Sequence, residues 1–264
     1  MSCEKNRNER QRTRDEVIST LLKYGIFHGN GIRALEESEG IRKFIWFLCN
    51  GRVESYESPD AYVKVDNQIL IIEHFAIDGF DTFPSGGSKY QRSQAEATRR
   101  FDAIPAKETG VHLSTQIGVA NSYEGLIKNC QDAFSHHYER ISCYKEHLKA
   151  DRIANEETVF TVCFLMEEVS PFGTLTYDGK SEHPVPVCLA RSKEFLDFYA
   201  NKPEVDWVLF ALVHIGDYGF DPYFLSKDDI DAWREDTLDY ASYQFLSSEH
   251  TVRTDFKFQI PNKE

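Results

Sequence analysis

Two carboxylates in the first third of the chain stand where they could share a cation. Asp60 follows Pro59 at the head of the run AYVKV, and Glu73 closes the apolar run ILII over 69–72. The polar turn Asp66-Asn67-Gln68 lies between them. If the flanking runs pair as neighbouring strands, the two acids come within a few ångströms of each other. Hard oxygen ligands at that spacing suit Mg²⁺ or Mn²⁺, with a substrate phosphate completing the shell and a bound water as nucleophile. His74 is a candidate metal neighbour or proton acceptor, although strand alternation turns it away from Glu73 unless a bulge intervenes. Asp78 and Asp81 follow in a Gly-containing stretch, where acids commonly serve turns. Lys89 comes after Pro84-Ser85-Gly86-Gly87-Ser88, at the predicted start of a helix. Free N–H groups at a helix start favour anions, and a lysine beside them adds a compact charge. The stretch lacks the spacing of a P-loop.

These residues need elements to position them. Val17, Ile18, Leu21 and Leu22 recur at helical spacing with Gly25 as a stop, and a second helix is predicted over 32–49. After the turn signal Asn50-Gly51, strands are predicted over 53–56, 61–65 and 69–77, an antiparallel meander feeding a buried central strand. A helix over 88–101 follows. Residues 102–121 read as loop, and 122–150 as one long helix or a helix pair. His136 and His137 there point about 100° apart on a helix, so they and His147 read as structural. Strands over 158–169, 185–190 and 206–213, with a helix over 191–200, make a strand–helix–strand unit. A helix over 228–235 and an edge strand over 252–260 complete an α+β (α/β) fold, a central mixed β-sheet flanked by helices. The whole chain, 1–264, reads as a single domain, with 102–156 as a helical insertion.

Composition bounds the function. The chain has 264 residues and 41% apolar side chains, with 19 Phe and 13 Tyr, enough for a sizeable core. A net charge of −13 argues against indiscriminate coating of nucleic acid, but not against one local basic groove. Lys5, Arg7, Arg10, Arg12 and Arg14 form a basic arm that reads as a solvated terminus. The start of the chain is charged and lacks an apolar segment, so no signal peptide is expected, and no run reaches the length of a membrane span. The six cysteines form no CxxC pair and read as reduced thiols of a cytoplasmic protein rather than a zinc site.

A helix, a three-strand meander, Pro59-Asp60 opening the second strand and Glu73 late in an apolar third strand together resemble the PD-(D/E)xK superfamily, the restriction-endonuclease-like fold. The resemblance covers mainly 32–101 and more loosely 158–169 and 206–213. It implies a restriction-endonuclease-like core, a divalent cation held by Asp60 and Glu73, and a lysine helping to activate water against a phosphodiester. It further implies nucleic acid as partner, with DNA ahead of RNA, and a homodimer if both strands are cut. The position of that lysine, two after Glu73, is Phe75 here. Some members move the lysine elsewhere. Lys89 is preferred to Lys64, which lies roughly 13 Å along the strand from Asp60 by its rise. Two other classes stay open. One is a catalytically inactive protein of the same fold that binds nucleic acid or a protein partner. The other is an acidic interaction protein of phage or mobile-element origin.

Overall fold

The computed structural model describes residues 32, 34, 38–80, 112–169, 175–177, 185–212, 222–235, 237–238, 240, 244–245 and 248–257; over 112–121, 175–177, 185–186, 212, 244–245 and 248–257 it describes the backbone alone. The basic arm, the helices expected over 17–25 and 88–101, Asp81 and Lys89 lie outside these residues.

Helix α1, Glu39–Asn50, starts where Ser38 caps it, the Oγ accepting the Ile41 N–H at 3.3 Å. The cap places the helix start seven residues later than the apolar spacing suggested. Phe44 and Phe47, three apart, are buried on one stripe. Phe44 meets Trp207 at 5.8 Å and Phe224 at 5.4 Å between ring centres. Gly51 ends the helix, and a Cβ there would stand 2.4 Å from Val63 Cγ1. Only glycine lets the chain pass this close to the sheet.

Strands β1 (Val53–Ser55), β2 (Ala61–Val65) and β3 (Gln68–Ile77) form the meander, in the register Val53↔Val63 and Ala61↔Ile72. Asp66 turns β2 into β3 with φ of 52°, the left-handed region that Asp tolerates. Next come β4 (His112–Asn121), α2 (Tyr123–Tyr138), α3 (Ile141–Ala150) and β5 (Val159–Glu168). The rest comprises β6 (Leu175–Tyr177), β7 (Val185–Pro186), α4 (Lys193–Ala200), β8 (Trp207–Leu212), β9 (Tyr223–Ser226), α5 (Ile230–Glu235), β10 (Gln244–Phe245) and β11 (Ser248–Lys257). The central sheet has six strands in the order β1-β2-β3-β5-β8-β9. The pairs β3–β5 and β5–β8 are parallel and the others antiparallel, so the sheet is mixed and the fold α+β.

Strand β3 is apolar on both faces because helices cover both. Ile69, Ile71, Phe75 and Ile77 pack with Leu126 and Phe134 of α2, Tyr144 of α3 and Phe195 of α4. Leu70 and Ile72 pack with Phe44 and Phe47 of α1. Central parallel strands covered on both sides carry such unbroken apolar runs.

Within the stretch 102–156, expected as a helical insertion, the loop expected up to 121 is corrected over the described residues 112–121. Residues His112–Asn121 are a strand, paired antiparallel with β11 from His112↔Lys257 to Asn121↔Ser248. Helices α2 and α3 are the crossover that parallel pairing of β3 with β5 requires. The strand expected over 185–190 covers only Val185–Pro186, and the chain then turns through a short 3-10 helix, Leu189–Arg191. Strand β9 was not anticipated. Among the described residues no helix is long and apolar enough to cross a membrane. The five described cysteines are all free; Cys130, Cys163 and Cys188 are buried, while Cys49 and Cys143 are exposed.

Candidate functional site

The register Ala61↔Ile72 sets Asp60, just ahead of β2, opposite Glu73 on β3. Where the backbone ladder ends, the side chains continue it. Glu73 Oε2 accepts the Asp60 N–H at 3.1 Å, and Asp60 Oδ2 accepts the His74 N–H at 2.9 Å. Glu73 lies on the odd-numbered face of β3, toward α2 and α3, and is 4% exposed. Its Oε1 takes two further donors, the Tyr144 hydroxyl at 2.8 Å and His137 Nδ1 at 2.7 Å. An ionised carboxylate only accepts, so these contacts put the imidazole proton on Nδ1.

The two acids feel each other. Burial first, and then the negative charge of Glu73, push Asp60 from 3.8 up to about 6, against the opposing pull of the His74 N–H bond and the nearby imidazoles. Burial and the same Glu73 charge also raise the Tyr144 hydroxyl above its ordinary value. A divalent cation would add countercharge to such a pair. Glu73 Oε2 and Asp60 Oδ2 each accept one hydrogen bond, and Asp60 Oδ1 accepts none among the described residues. Each of these oxygens has a lone pair to spare. Among the described residues no group of three His, Cys, Asp or Glu side chains is placed for a metal ion. A cation here would take the rest of its shell from water and substrate oxygens, as Mg²⁺ commonly does.

Phe75, where the resemblance puts a lysine, serves another purpose. Its ring stacks on the His137 imidazole at 4.7 Å with 7° between planes, and meets Phe164 edge-on at 5.5 Å. Phe75 thus fixes the plane of the histidine that bonds Glu73. His74 points the other way, its Nε2 3.5 Å from Glu167 Oε2. Only its backbone N–H reaches Asp60. Lys64 reaches Ile153 O with its Nζ at 2.6 Å and takes no part. Asp78 is buried, its Oδ1 accepting the Phe80 N–H at 3.2 Å in a local turn.

Sequence reasoning missed the α2–α3 contribution. His137 read as structural and Tyr144 drew no notice, because nothing in a helical spacing says which strand its face will meet. Beside the acids, α3 and the 56–58 segment enclose a cleft of about 560 Å³. Arg140 reaches into its wall, with Nη2 3.4 Å from Ser58 Oγ and the guanidinium carbon 5.5 Å from the Tyr144 ring centre. His147 Nδ1 lies 3.4 Å from Ser58 O, and its Nε2 lies 3.4 Å from Cys143 Sγ. Tyr56 donates its hydroxyl to Asp151 Oδ2 at 2.6 Å. Compared with known proteins, the chain matches no family model, no curated protein and no solved structure.

Proposed function

We propose that this chain is a metal-dependent nuclease that hydrolyses phosphodiester bonds, DNA ahead of RNA, at Asp60 and Glu73. The carrying observation is the facing pair itself: two carboxylates on adjacent strands, largely buried, with Asp60 pushed up by the charge of Glu73. Asp60 and Glu73 would hold Mg²⁺ or Mn²⁺, which when bound supplies water activation and charge neutralisation at a phosphate. The element order supports the reading, since a helix followed by a three-strand meander is what the PD-(D/E)xK resemblance calls for. Tyr144 and His137 orient Glu73 by occupying Oε1, which leaves Oε2 toward Asp60. Lys89 is our candidate for the cation that Phe75 cannot provide. Three buried free thiols suit a reducing compartment, and we place the protein in the cytoplasm. Cutting both strands of a duplex would call for a homodimer.

The test is cleavage of plasmid and of labelled oligonucleotides with Mg²⁺ or Mn²⁺. Glu73→Gln keeps the shape and removes the charge, so cleavage should vanish while the circular dichroism spectrum is kept. Full activity in purified Glu73→Gln protein would overturn the assignment. Two observations favour a second reading, an inactive protein of this fold that binds nucleic acid: Glu73 already accepts three hydrogen bonds, and Phe75 stands at the lysine position. Salt-sensitive binding without cleavage in either metal would select it.

A further inference from the structure

The cleft beside the two acids carries Arg140 at one end of α3 and Asp151 at the other, with the exposed Glu57 and His147 also on its lining. Arg140 stands at the N-terminal end of α3 and Asp151 at the C-terminal end, so the helix's own partial charges run in the same sense as the side chains. Among the described residues Arg140 is in no ion pair with a carboxylate. Its guanidinium makes one hydrogen bond among the described residues, the 3.4 Å contact to Ser58 Oγ, which leaves most of its five donors uncommitted. At the other end Asp151 gives Oδ2 to the Tyr56 hydroxyl and keeps its second oxygen as an acceptor. Between the ends stands the Tyr56 ring, held edge-on by Tyr62 at 5.9 Å and 84°. A uniform polyanion would be repelled at one end, and a cation at the other. The cleft suits a unit with negative charge at one end, a flat apolar middle and hydrogen-bond donors at the far end.

We infer that this cleft is a nucleotide subsite for a single strand of nucleic acid. The backbone phosphate would meet Arg140 and Ser58, the base would lie against Tyr56, and an exocyclic amino group would face Asp151. This deepens the nuclease reading and rests on it for its place in catalysis. Ser58 is two residues from Asp60, and Arg140 lies over the Tyr144 ring whose hydroxyl bonds Glu73, so the unit bound here adjoins the one bearing the scissile phosphate. Guanidinium forks match phosphate oxygens bidentately, aromatic rings accept any base face, and a carboxylate accepts from cytosine N4. Thymine offers no such amino group.

The full-length protein, in EDTA so that nothing is cut, is titrated with labelled ten-nucleotide strands of dC and of dT over a salt series. Arg140→Gln is expected to weaken dC binding about fivefold to twentyfold and to lower the slope of log affinity against log salt by about 0.7, the value of one phosphate contact on a single strand. Arg140→Lys is expected to restore the slope but not the full affinity. Binding of dC is expected to exceed that of dT, and Asp151→Asn to narrow the gap. An unchanged salt slope in Arg140→Gln, or equal binding of dC and dT by the wild type, would overturn the subsite. So would displacement of the strand by the free nucleotide dCMP at equal concentration. If no metal supports cleavage and the Arg140-dependent slope persists, the subsite stands and the nuclease reading falls. With metal present, Arg140→Gln is expected to raise KM and leave kcat within about threefold, which separates substrate holding from chemistry.

Discussion

At the scale of single residues, the exchange of bonds between Asp60 and Glu73 ties a chemical hypothesis to a stability measurement. The Asp60 carboxyl is raised from 3.8 to about 6 in the folded chain, so the fold binds its proton more tightly than the unfolded chain does. Its contribution to stability is therefore present below pH 3.8 and is lost as pH rises through about 6. Above that range the ionised carboxyl costs the fold up to about 3 kcal/mol. Asp60→Asn, which can still accept the His74 N–H, is expected to be more stable than wild type at pH 7.5 in EDTA and nearly equal to it at pH 4. Urea unfolding at both pH values checks this, and a less stable variant at pH 7.5 would refute it. Phe75 is 7% exposed between His137 and Phe164. Phe75→Ala should cost about 3–5 kcal/mol and release the His137 ring, visible as a shift of its imidazole resonances. Both acids were legible in the sequence, because Pro-Asp just ahead of one strand and an acid closing the apolar run of the next is a local pattern. His137 and Tyr144 were not legible, since their meeting with Glu73 is set by the docking of α2 and α3 across more than 60 positions of chain.

At the scale of elements, the sequence told most where its signals were local. The meander was legible from alternation and the turn at 66–68, and β5 and β8 from their apolar runs. Helix α1 was found but begun too early, because the Oγ of Ser38 and not the apolar spacing decides its first turn. Ser38→Ala should cost about 1 kcal/mol, with fraying at 39–41 seen as faster amide exchange there; no change in stability would show that packing of Phe44 and Phe47 alone sets the helix start. Strand β4 was read as loop because its partner β11 lies more than a hundred residues away, and no window of sequence contains both. Strand β9 is four residues, YFLS, too short to show a period. Helices α2 and α3 were legible as a helix pair, but their place between β3 and β5 was not, because parallel pairing is invisible until the sheet order is known.

At the scale of the whole molecule, the six-strand sheet and its two apolar layers put the acids on one face and leave the other to α1. The mixed sheet flanked by helices was legible from the order of predicted elements alone. The assignment of helices to faces was not, since it depends on which way each connection crosses. One further consequence follows from the pairing of β4 with β11. During synthesis every strand of the central sheet has been made once Ser226 is reached, whereas β4, finished at Asn121, waits for the ribosome to reach Lys257. At ordinary elongation rates that wait is roughly 7–30 s. For that time the ten residues of β4 lack the partner they pair with in the fold, so their backbone donors and acceptors are open to other strands.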